Sequence, residues 1–168
     1  MQIAGGTTDP VNEENEIRRL VAYYSDAVTH LDAARAASVY VEDGCVSIAG
    51  AELFGRAAIE QGMRQSFSAF SILQLIAHGA VIEIDDTRAS ARWSTIEFAI
   101  RREATDLNCI FGCYEDDLVR LPQGWRFKKR TFTLAGRTLV ETKKMQLNLA
   151  FAPSLPFSIE SVGAFTTA

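Results

Sequence analysis

The chain has 168 residues, of which 48% are hydrophobic and 23% charged, and its 17 basic and 21 acidic side chains leave a net charge of -4. That length suits one domain with a sizeable core and is too short for two; the composition is that of a globular protein, and with no basic run or acidic tail it argues against nucleic acid as a partner. Residues 1–9 lack the basic-then-apolar pattern of a secretion signal, and no apolar run approaches the roughly 20 residues of a bilayer span, so no membrane association and a cytoplasmic location are expected.

Asp9-Pro10 is a helix-start signal, because Asp caps free backbone N–H groups and Pro costs nothing in the first turn. Glu13, Glu14 and Glu16 favour the positive end of the same helix. Ile17, Leu20, Val21, Tyr24, Val28 and Leu31 recur at helical spacing and predict one buried stripe on a helix of about 20 residues. A second, shorter helix is expected from about Ala33 to Tyr40, broken at Asp43-Gly44, followed by a short strand over Cys45–Ile48 and a turn at Ala49-Gly50. After Gly55 a third helix presents Ile59, Met63 and Phe67 to the core.

The remainder reads as sheet, with long strands over about Gln74–Ile84, Arg88–Ile100, Asn108–Arg120 and Trp125–Val140. Turn-type links at Asp85-Asp86-Thr87, at 102–106 and at Pro122-Gln123-Gly124 make consecutive strands an antiparallel meander. Helices first and sheet afterwards define an α+β domain. Its expected extent is residues 1–140, with 141–168 a Pro-interrupted but apolar extension packing on the domain or on a second subunit. Exposed apolar surface of this extent predicts a homodimer or homotrimer. Cys45, Cys109 and Cys113 are read as reduced thiols, the last two sharing a strand face. With His30 and His78 48 positions apart, no metal cluster is expected.

The run Tyr24 to Asp32, leading to Asp43-Gly44, Cys45–Ile48 and Gly55-Arg56, resembles the opening of SnoaL-like domains of the nuclear transport factor 2 superfamily. Gly112-Cys113-Tyr114-Glu115-Asp116-Asp117-Leu118 followed by Gly124-Trp125-Arg126 and Arg130 is similar to their closing hairpin. The resemblance covers roughly residues 12–137. It implies a cone-shaped curved antiparallel sheet packed against three N-terminal helices, with one apolar pocket. In scytalone dehydratase and hexachlorocyclohexane dehydrochlorinase, members of this family, an aspartate after the first helix works with a histidine on the sheet. Asp32 matches the aspartate; the histidine position falls at Gln74 or Leu75, and His78 lies three or four residues later on the same strand.

The resemblance therefore implies a cofactor-independent lyase or isomerase, working by dehydration, elimination or retro-aldol cleavage, on a small apolar, aromatic or polycyclic molecule. Asp32 would orient His78, His78 would act as general base, and Tyr24 would donate a proton. Trp93, Phe111 and Arg130 are the substrate-binding candidates. Bland readings stand beside these: Asp32 as the cap of the second helix, His78 and Tyr24 as core residues, Trp93 as packing, Arg130 in a structural ion pair. Glu97 shares a strand face with Trp93, and an exposed strand end is the favoured account of it. The rival function is a non-catalytic small-ligand-binding or assembly module of the same fold; a small subunit of a larger oxygenase is a third option by fold analogy.

Overall fold

A computed structural model of the protein describes residues 10–141. In chain order it contains α1 (Pro10–Thr29), α2 (Ala33–Ala37), β1 (Tyr40–Ile48), β2 (Ala51–Phe54), α3 (Arg56–Phe67), β3 (Phe70–Asp85), β4 (Arg88–Arg101), β5 (Leu107–Leu121) and β6 (Gly124–Val140). The expected extension beyond Glu141 and the capping residue Asp9 lie outside the described residues. Among those described, no helix is long and apolar enough to cross a membrane.

The stripe of α1 is buried as its spacing predicts: Ile17, Leu20, Val21, Tyr24, Ala27 and Val28 all belong to the core. Glu13, in the first turn, is itself buried and pairs with Arg120 of β5, which fixes the head of the helix to the sheet. On α3, Ile59, Met63 and Phe67 are buried as expected. By contrast, α2 ends at Ala37 rather than reaching Tyr40. The β-branched and aromatic run Val39-Tyr40-Val41 favours extended backbone, and Tyr40 pairs with Phe127 of β6 while the Phe127 N–H donates to Val39 O at 2.9 Å.

The sheet has six strands in the order β2-β1-β6-β5-β4-β3. Its four long strands form the expected antiparallel meander, but β1 runs parallel to β6, so the sheet is mixed. Strand β2 was not foreseen: after Gly50, at φ 83°, the chain returns along β1 for four exposed residues, too few for a burial pattern.

Strand register sorts the side chains into two faces. On the inner face, packed by the helices, one rung runs Trp93–Tyr114–Phe132, the next Thr95–Gly112–Leu134, and the next Leu75–Glu97–Ile110–Arg137. On the outer face the rungs run His78–Ser94–Cys113–Thr133 and Ile76–Ile96–Phe111–Gly136. A β-bulge interrupts β3 between His78 and Val81, where Gly79 takes φ 65°, a conformation that costs glycine little.

Candidate functional site

The deepest part of the inner face is solid. Arg130 of β6 and Asp116 of β5 sit opposite each other in register, and the guanidinium donates from Nε and Nη2 to the two carboxylate oxygens at 2.7 and 2.6 Å. Both side chains have no exposure to solvent. The guanidinium carbon also lies 4.0–4.4 Å from the ring centres of Phe127, Tyr114 and Tyr24. Burial alone would lower the pKa of Arg130, but the Asp116 charge overrides it and holds the group above its ordinary value. Burial raises the phenols of Tyr24, Tyr40 and Tyr114, so all three stay neutral hydroxyls at physiological pH. Their rings meet edge to face, Tyr24 lying 6.3 Å from Tyr40 and 6.2 Å from Tyr114.

Asp32 and His78 are not brought together. Asp32 is the N-cap of α2, its Oδ1 accepting from the Arg35 N–H at 3.0 Å, with the Arg35 Nε 3.6 Å from its other oxygen. His78 is exposed on the outer face, opposite Ser94. An exposed N-cap and a histidine on the far side of the sheet do not form a proton relay. The histidine that lies near Asp32 is His30, which shares with it a cavity of about 500 Å³ together with Arg64, Phe67 and Arg102. The His30 ring is tied down by its Nδ1, 2.8 Å from the carbonyl oxygen of Asp26.

Of the other expected residues, Tyr24 and Trp93 do lie on the inner side, at 3% and 4% exposure; Tyr24 packs on the Arg130 guanidinium, and Trp93 stands in register with Tyr114. Arg130 takes the structural pairing rather than reaching into open space. Phe111 is on the outer face, 45% exposed, its ring lying over Gly136, and so cannot line the same site as Trp93. Cys109 and Cys113 share that outer face, and all three cysteines are free thiols. Among the described residues, no group of three or more His, Cys, Asp or Glu side chains is placed to hold a metal ion.

Beyond the solid base, toward Arg101 and Leu107, the inner face opens. Leu134 and Leu139 are 54% and 57% exposed there, and Phe132 and Ile110 are half-buried. Glu97 stands in this region, between Leu75 and Ile110 in register. It is half-buried, not the solvated strand end that the sequence suggested, and removal from water raises its pKa. Its alternation with Trp93 was the sequence signal for an inward position. At the opposite end of the sheet lies a cleft of about 1000 Å³, with Val41, Ile84, Ala89 and Leu118 as its floor and Asp43, Glu83, Asp117, Arg88 and Lys128 at its rim.

A model of the SnoaL-like domain family matches residues 9–131. Among solved structures, the chain is similar to a candidate scytalone dehydratase from Novosphingobium aromaticivorans, at a TM-score of 0.72 and 22% identity over 76% of this chain and 87% of that one. A hexachlorocyclohexane dehydrochlorinase matches at a TM-score of 0.72 and 14% identity, over 77% and 90% of the two chains. A nuclear transport factor 2-like protein from Salmonella enterica matches at 0.71 and 15%, over 77% and 96%. At these identities the likeness is one of fold. Comparison with curated proteins gives no match.

Proposed function

This chain belongs to the SnoaL-like domain family, and from that premise we propose that it binds a small, largely apolar molecule on the inner face of its sheet, beyond the Arg130–Asp116 pair. One observation carries the reading: Leu134 and Leu139 are more than half exposed on the face that elsewhere forms the core. Apolar surface left open on a concave face is stabilised by whatever covers it, at about 25 cal/mol per Å². The aromatic base of Trp93, Tyr114 and Phe132 suits a flat or polycyclic body.

Calorimetric titration of the full chain with 2-naphthylmethanol tests this. Saturable binding is expected, weakened at least about tenfold, or ~1.4 kcal/mol, by Leu134→Asp. That side chain is exposed, so the variant should keep its melting temperature. An equal affinity in the variant would sink the assignment to this face.

Lyase or isomerase chemistry is the second reading, favoured by the fold likeness to a candidate dehydratase and a dehydrochlorinase. It draws no support from Asp32 and His78, which stand on different parts of the surface with separate structural roles. Assay of water elimination from aromatic and polycyclic alcohols should therefore give the same outcome for wild type and Asp32→Asn. Turnover that disappears in both Asp32→Asn and His78→Ala would restore the dyad and displace the binding reading.

A further inference from the structure

We propose that Glu97 is the polar anchor of the inner-face site and selects ligands that carry a protonated amine on their apolar body, an inference that rests on the reading of this face as a ligand site. The inner positions of β4 are Ala89, Ala91, Trp93, Thr95, Glu97 and Ala99, and every one except Glu97 is buried. Two carboxylates therefore occur on this face of β4 and β5, Glu97 and Asp116, and they differ in one respect. Asp116 has both oxygens satisfied by Arg130. Glu97 has no hydrogen bond or ion pair among the described residues.

Its register neighbours are Leu75 and Ile110, neither of which can donate from its side chain. The nearest cation in the same rung, Arg137, stands beyond Ile110, two strands away and thus about 10 Å across the sheet. A carboxylate crowded by apolar groups is costly unless a donor or a cation meets it. A ligand hydroxyl supplies one donor, whereas an ammonium supplies three donors and the missing charge. The half-buried ring of Phe132, further along the same face, offers a cation its negative π surface. A ligand carboxylate meets a like charge and nothing to offset it. The raised pKa of Glu97 agrees with this: its cause among the described residues is desolvation by burial.

Three probes on one ring system decide the matter: 2-naphthylmethylamine, 2-naphthylmethanol and 2-naphthoic acid, titrated calorimetrically into the full chain at neutral pH. The expected order is amine at least about tenfold tighter than alcohol, a difference of ~1.4 kcal/mol, with the acid weakest. Glu97→Gln should erase the amine's advantage over the alcohol, and Glu97→Asp, which keeps the charge, should retain part of it. Equal affinity for amine and alcohol in the wild type, or an amine preference that survives Glu97→Gln, overturns the role of Glu97 alone. If none of the three probes binds, the inner-face site itself is refuted and this inference with it.

Discussion

A carboxylate loses hydration when apolar neighbours crowd it, and the two acids of the inner face meet that loss differently. Asp116 is compensated by Arg130, so either partner alone would be a buried uncompensated charge. Arg130→Met or Asp116→Asn should each cost about 3–5 kcal/mol in urea unfolding, while the double replacement Arg130→Met with Asp116→Leu should recover most of it, as apolar substitutes for buried pairs do. Glu97 has no such partner, and folding raises its pKa. Between the ordinary and the raised value the folded state therefore binds more protons than the unfolded one, and stability falls as pH climbs through that interval. Glu97→Gln removes this titration: its melting temperature should exceed that of the wild type at pH 7, with the gap closing as pH falls below about 4, under the ordinary carboxyl value. A variant less stable than wild type at pH 7 would contradict the assignment. A carboxyl that weakens the protein at its working pH is the kind of group that ligand binding explains.

At the scale of elements, the helices and long strands were legible because they are set by local pattern. The stripe from Ile17 to Val28 and the trio Ile59, Met63 and Phe67 are written in the 3.6-residue period, and the turn residues at Asp85-Asp86-Thr87 and Pro122-Gln123-Gly124 bound the strands. What escaped was decided by distant partners. Strand β1 begins at Tyr40 because β6 waits beside it, and nothing local announces that pairing. Asp32 suits both an N-cap and a proton relay by residue type, and which it serves depends on where a strand more than 40 residues later turns its histidine. Likewise the shielding of Glu97 comes from Leu75 and Ile110 on neighbouring strands, not from its own surroundings in sequence. The capping role makes its own prediction: Asp32→Ala should cost about 1 kcal/mol of stability in denaturant titration, and the exposed His78→Ala should change it by less than about 0.5 kcal/mol. A reversal of those two magnitudes would mean that His78 has a partner the fold does not provide.

For the whole molecule, the outer face of the sheet is as informative as the inner one. Ile76, Ile96 and Phe111 form one apolar rung across three strands, with Ile76 39% and Phe111 45% exposed. We expect a homodimer or homotrimer that covers this rung; light scattering should give a multiple of 18.5 kDa at micromolar concentration, shifted toward the single-chain mass by Phe111→Asp. Several bulges bend the sheet, and one of them lies in β3. At the bulge in β3, three steps from His78 to Val81 stand against two from Ser94 to Arg92, so Gly79 is the surplus residue. Leu75 and Ala77 face inward before it, Ala80 and Ile82 after it, and that alternation would be unbroken if Gly79 were deleted. Loss of this one codon would straighten the strand and leave every side chain on its present side. Under the proposed reading, the bend of the inner face and the chemistry of its walls are therefore separately heritable, because removing Gly79 alters the course of β3 without changing which residues face inward.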